Sequence, residues 1–187
     1  MNHISLEEKE KLENIYQKFL KDPNIARMKN VGMHRGSNSY IHSFKVAKLA
    51  IKRALHHKKK LDLEAVLIAG ILHDYYLYDW REDKTLRKKH ARRHPFVAAA
   101  NAKRDFNVSD FVIEIIKSHM WPINFKLFQR TTEARIVGNA DNTIAFKEVI
   151  TSRRYKAKRI VKYMESIEKL FDWGVSLWKK YFICFLS

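Results

Sequence analysis

Apolar residues recur at helical spacing along most of this chain. In residues 5–20, Leu6, Ile15, Phe19 and Leu20 punctuate a charged background, and Ser5 with Glu8 has capping-box spacing. Asp22-Pro23-Asn24 stops that helix. Residues 30–39 hold Gly32, Gly36, Ser37 and Asn38 and read as a loop. A second helix is expected over about 40–58. A third opens at Asp62, a suitable N-cap, and carries the apolar run LEAVLIAGIL into His73-Asp74. Residues 79–93 are densely charged and read as an irregular excursion. A fourth helix is expected from Pro95, because proline suits a first helical turn. Ser109 caps a fifth, which Pro122 ends, and Thr131 or Thr132 opens a sixth through about Ile150. One or two further helices fill the C-terminal part. No period-2 strand, repeat or linker interrupts the pattern. The expected fold is all-α, a single-domain helical bundle. Residues 1–30 supply an N-terminal helix packed on a core of 31–150, and residues 151–187 complete the domain.

Composition supports that reading. The 187 residues include only 5 Gly and 3 Pro, too few breakers for many short strands. At 46 % hydrophobic the chain has material for a core and is not disordered. A single cysteine, Cys184, excludes an internal disulfide framework and a cysteine-based zinc site. The N-terminus, MNHISLEEKEKLENIYQKF, has neither the basic nor the apolar region of a signal peptide, and no run is long enough to span a bilayer. The tail LFDWGVSLWKKYFICFLS is broken by Asp172, Lys179 and Lys180, and reads as a terminal helix on the core, an interfacial membrane helix or a partner-docking helix. A cytoplasmic, reducing location is expected. The net charge of +17 points to a polyanionic partner without choosing among nucleic acid, nucleotides and an acidic membrane surface.

The chemistry lies in the histidines and acids. His42 shares a helical face with Val46 and Leu49. His73-Asp74 ends the apolar run, and Gly70, one turn earlier, leaves room for something to approach. His94 precedes Pro95, and His119 closes the fifth helix. Asp141 falls between Val137 and Ile144 on an inward face. Alone, each histidine reads more readily as a hydrogen-bonded core residue, and Asp141 as the partner of a lysine or arginine. Four histidines and two aspartates in such positions call for a shared partner, because buried charge is costly uncompensated. A divalent cation is the simplest one: Mn, Fe, Zn or Ni, and with waters Mg.

The ordered set His42, His73-Asp74, Asp141 resembles the HD-domain metal-dependent phosphohydrolase superfamily. HSFKVAKLA is similar to that family's first-histidine helix, AGILHDYYLYD to its helix ending in the doublet, and GNADNTIAF to its last-aspartate helix. The resemblance runs from about Met33 to Glu148. It implies an HD-type bundle with a core metal site and a metal-activated water attacking phosphorus, with Asp74 and His73 at the chemistry. His94 in HPFVAAANA and His119 resemble the added ligands of binuclear members, among them the HD-GYP phosphodiesterases and the dinucleoside polyphosphate hydrolases. In that layout His42, His73 and Asp141 hold one ion, His94 and His119 the other, and Asp74 bridges; around a single ion, His94 and His119 would touch substrate phosphate instead. The HD-GYP signature itself is missing, since Tyr75-Tyr76-Leu77-Tyr78 follows the doublet. The flavour, HDYYLYDW and HMWP, is that of a small bacterial HD subgroup. The superfamily also contains a few di-iron oxygenases, so fold alone leaves the reaction open.

On this reading the substrate is a phosphate-containing small molecule, a nucleotide or another phosphate ester. His34, Arg35 and Lys45 are the candidates to bind its phosphate. His90 pairs with His94 at i, i+4, but Pro95 and the charge of RKKHARRHP put it on an exposed loop or helix start, near the entrance to the site. Tyr75, Tyr76, Tyr78, Trp80 and Trp121 are core or a stacking wall, and Asp79 is a candidate to orient a ligand histidine. Basic clusters at Lys52–Lys60, Lys84–Arg93 and Arg153–Lys162 are solvated faces or draw in an anion. They keep alive a second class of function, a basic nucleic-acid-binding protein with a relic metal site.

Overall fold

The helices begin where a side chain caps them. The computed structural model describes residues 4–32, 37–81 and 84–151. These form α1 (Leu6–Lys21), α2 (Pro23–Ala26), α3 (Ser39–Leu55), α4 (Leu63–Leu72), α5 (Lys84–Phe106), α6 (Asp110–Ser118) and α7 (Thr132–Thr151), with a 3-10 turn at Arg27–Asn30. No strand occurs among the described residues. The capping box of Ser5 and Glu8 starts α1. Asp62 Oδ1 accepts the Ala65 amide at 2.9 Å, Ser109 Oγ that of Val112 at 3.3 Å and Thr131 Oγ1 that of Ala134 at 3.1 Å. Asn38 does the same for α3, accepting from Ile41 at 2.9 Å. Each cap satisfies an otherwise orphaned donor, worth about 0.5–2 kcal/mol. α3 stops at Leu55, sooner than the pattern suggests. There the His56 ring meets the Lys52 carbonyl at 2.7 Å and competes for the acceptor that another turn would use.

Residues Met1–Glu148 form one compact unit. Its centre is α4, which is apolar all round and so must be surrounded. Val66, Ala69, Ile71 and Leu72 are fully buried. α4 packs against α3, α6 and α1. Phe19 of α1, Ile25 of α2 and Met28 of the 3-10 turn join the same core.

Two sequence expectations need correction. Gly70 makes room for helix α3, not for a ligand: a Cβ there would lie 2.8 Å from the Ala47 Cα. Alanine normally gains about 1 kcal/mol over glycine inside a helix, but here backbone must move, and overpacking costs about 1–3 kcal/mol. Gly70→Ala should therefore lower the melting temperature, measured by circular dichroism, and an unchanged or raised value would contradict the close packing.

The second correction concerns α5. Residues 84–93 are helical rather than irregular, and Pro95 lies inside the helix, not at its start. Proline removes only its own bond to the Ala91 carbonyl. The neighbouring His90 carbonyl accepts the His94 ring Nδ1–H at 3.0 Å. A local preference for proline in first turns thus yields to tertiary packing. His34, Arg35, residues 152–187, the third basic cluster and the apolar tail lie outside the described residues.

Candidate metal centre

Five helices deliver six buried ligand side chains to one place. His42 comes from the first turn of α3, His73-Asp74 from the C-terminus of α4, His94 from mid-α5, His119 from the C-cap of α6 and Asp141 from α7. None of the six is more than 8 % exposed. They fall into two triads, His42 with His73 and Asp141, and Asp74 with His94 and His119. Within each triad the ligand atoms all lie within 4.8 Å of one another. Asp74 faces both groups. Its Oδ2 is 3.4 Å from His73 Nε2 and 3.9 Å from His42 Nε2, while its Oδ1 is 3.2 Å from His94 Nε2 and 3.8 Å from His119 Nε2.

The histidines are oriented from behind. Nδ1 of His73 donates to the Gly70 carbonyl at 2.9 Å, that of His94 to His90 at 3.0 Å and that of His119 to Ile116 at 2.7 Å. In each case the acceptor is a carbonyl three or four residues earlier; for His73 and His119 a helix end leaves it available. This makes Nδ1 the donor and points Nε2 inward, the orientation in which a deprotonated Nε2 binds metal. His42 is held differently, with Nδ1 on Glu148 Oε2 at 3.0 Å and Nε2 on Asp141 Oδ1 at 2.9 Å.

Those contacts show what the site lacks from protein alone. His73 Nε2 is buried without a hydrogen-bond partner. His94 and His119 bring their Nε2 atoms within 2.9 Å of each other. Both Nδ1 atoms already donate elsewhere, so the two Nε2 atoms converge on the same point. Four imidazoles and two carboxylates of this orientation fit divalent cations.

The electrostatics divide the site. Burial disfavours a charged His42, but the hydrogen bonds of Asp141 and Glu148 outweigh it and raise its pKa to about 9. His73 is also raised, as the charges of Asp74 and Asp141 overcome its burial. His119 is lowered to about 4 by burial, with His94 and His73 adding to the effect. Asp74 and Asp141 are held well below the ordinary carboxylate range despite burial, chiefly by His73 and His94 for Asp74 and by His42 and His73 for Asp141.

A cavity of about 290 Å³ opens onto the second triad. Asp74, His94, His119 and Asp141 form its floor, and Trp80, His90, Met120 and Asn142 are among its other walls. No lysine or arginine lines it among the described residues. His90 is not exposed, as the sequence suggested: continuity of α5 stacks it on His94 at 4.6 Å and on Trp80 at 5.0 Å, and Tyr78 Oη meets its Nδ1 at 3.0 Å. Tyr75 and Tyr76 are core, and Trp80 alone of the aromatic run lines the cavity. Trp121 is neither: it is 37 % exposed and packs on Phe128. Asp79 does not back a ligand; it pairs with Arg81 at 3.2 Å.

The residue that sequence reasoning missed is Glu148. It sits seven residues, two turns, beyond Asp141 on one face of α7. That spacing was the available signal. Glu148 also receives Lys45 Nζ at 2.9 Å, so Lys45 braces the site from its rim.

Comparison with known proteins bears on this geometry. The family model for the HD domain matches residues 39–145, more than half of the chain and all six ligand positions. No curated protein and no solved structure matches.

Proposed function

This chain belongs to the HD-domain family of metal-dependent phosphohydrolases, and from that premise we propose that it hydrolyses a nucleotide or another phosphate ester at a two-metal centre. One observation carries the reading: the Asp74 carboxylate offers one oxygen to each triad. In this assignment His42, His73 and Asp141 would hold the first ion and His94 and His119 the second, with Asp74 within reach of both. Bound divalent cations would supply a water acidic enough to be hydroxide near neutral pH, and charge to neutralise phosphoryl oxygens.

The chain's own residues do the rest. The carbonyls of Gly70, His90 and Ile116, with Glu148, hold the four rings at fixed orientation, so no reorganisation is needed when charge develops. Asp74 is kept ionised and is the acceptor placed to orient an attacking water; His73 beside it completes the pair. Trp80, Met120 and Ala91 wall off the cavity and limit the water around a bound ester. Its size sits at the small end of the range for ligand sites, which favours a compact substrate. No lysine or arginine lines it among the described residues, and bound metal would add neutralising charge there. His34 and Arg35 are proposed as further phosphate contacts. Lys45 is reassigned from substrate to bracing Glu148.

Freshly purified protein should carry close to two equivalents of divalent metal and release phosphate from members of a nucleotide and phosphate-ester panel. A chelator should remove both properties, and added metal should restore them. Metal-replete protein that releases no phosphate from any panel member counts against the assignment. Oxygen consumption by an iron-loaded sample under those conditions would point to di-iron oxygenase chemistry instead.

A further inference from the structure

We infer that the segment joining α6 to α7 is a docking loop for an anionic lipid surface. Its sequence from Trp121 to Arg130, WPINFKLFQR, contains no acid and two cations, Lys126 and Arg130. Four large apolar side chains in those ten residues stand in solvent: Trp121 at 37 %, Ile123 at 56 %, Phe125 at 72 % and Phe128 at 52 % exposure. Single exposed apolar residues are ordinary, but a run of this density marks a surface that something covers.

The loop is built rather than loose. Gln129 is buried, and its Nε2 donates to the Ser118 and His119 carbonyls at 3.2 and 3.3 Å, closing the loop at its base. A side chain at Gly138 would collide with that amide, so α7 is shaped to admit it. Asn124 Nδ2 donates to the Arg92 carbonyl at 3.1 Å and ties the tip to α5. Arg92 and Arg93 there are both exposed. Asp110 and Glu114 of α6 share the cleft between loop and helix with Lys117 and Lys126. The apolar tip thus has Lys126 and Arg130 in its own sequence and Arg92 at its tie to α5, while the acids Asp110 and Glu114 belong to α6.

That combination fits a lipid interface, where aromatic and aliphatic side chains enter the headgroup boundary and neighbouring cations meet anionic lipid. Nucleic acid fits less well. Ile123 has no ring to stack on a base, and Trp121 and Phe128 pack edge to face on each other at 5.4 Å. A second copy of the chain would bring like charges together across a symmetric contact.

The test uses the full chain and sedimentation with vesicles of phosphatidylcholine alone or mixed with phosphatidylglycerol. The wild type should bind the mixed vesicles, bind neutral ones far less, and weaken as salt is raised. Ile123→Ser with Phe125→Ser should weaken binding about tenfold or more, and Lys126→Glu with Arg130→Glu should do likewise. Melting temperature and metal content should stay at wild-type values in both variants. Absence of vesicle binding by the wild type overturns the inference. So does binding that the loop substitutions leave intact, or equal binding to neutral vesicles. Loss of single-stranded RNA binding in these variants, with vesicle binding retained, overturns it in favour of nucleic acid. None of these outcomes depends on whether the protein hydrolyses phosphate.

Discussion

Asp74→Ala is expected to abolish both metal loading and hydrolysis, lowering phosphate release by about 10³-fold or more. The expectation follows from position. Asp74 is the only one of the six side chains whose two oxygens address different triads. Removing it takes a ligand from both ions at once. It also removes the negative charge nearest the ring nitrogens of His73 and His94, which lie 3.4 and 3.2 Å away. Losing one member of a buried charge pair commonly costs about 3–5 kcal/mol, so the variant must be checked for folding before its inactivity is interpreted. Asp74→Asn, which keeps the shape, serves as the second variant. Added metal should raise the melting temperature of the wild type, by linkage worth about 2.7 kcal/mol at a hundredfold excess over Kd, and should leave that of Asp74→Asn nearly unmoved. A folded Asp74→Asn protein with full activity would remove the basis for the proposed mechanism. His119→Ala separates one metal from two. It strips a ligand from the second triad alone, so a two-metal centre should drop towards one equivalent, whereas a one-metal centre would keep its stoichiometry.

Much of the candidate ligand set could be read from sequence because several of its members carry a local mark. His73 and His119 sit at helix C-termini, where spare carbonyls orient a ring. His42 and Asp141 share faces with buried Val46 and Val137. What sequence hid was non-local or a contest between rules. Glu148 matters because of a ring 106 positions away, and only its two-turn spacing from Asp141 hinted at that contact. Pro95 is favoured at a helix start by local preference, yet α5 runs through it. That one reversal also moved His90 from an assumed loop into the stack between Trp80 and His94. Gly70 was noticed for the right physical reason, close approach, but the approaching group is a neighbouring helix. In each case the error lay in what the residue faces, which only packing decides.

Glu148→Ala should weaken metal binding about 10- to 100-fold, the usual effect of deleting the group behind a ligand histidine. Glu148 holds His42 Nδ1 at 3.0 Å, and without it the ring loses its fixed orientation towards the first triad. Lys45 loses its anchor in the same stroke. Glu148→Gln separates two contributions, because the amide oxygen still accepts from Nδ1 while the charge is gone; it should fall between wild type and alanine. The effect should also depend on pH, in a direction that can be worked out. In the metal-free wild type, both His42 nitrogens meet carboxylates, which keeps the ring charged up to about pH 9. A cation must displace the Nε2 proton, so wild-type affinity falls about tenfold per pH unit below that point. Removing Glu148 lets the proton leave more readily, which offsets part of the loss at low pH. As pH passes that point the His42 proton competes less in either protein, and more of the loss comes through. Isothermal titration of metal-free wild type and both variants across pH 6 to about 9.5 should therefore show a gap that widens as pH rises. A gap that narrows instead would mean that Glu148 acts by holding the proton and not by orienting the ring.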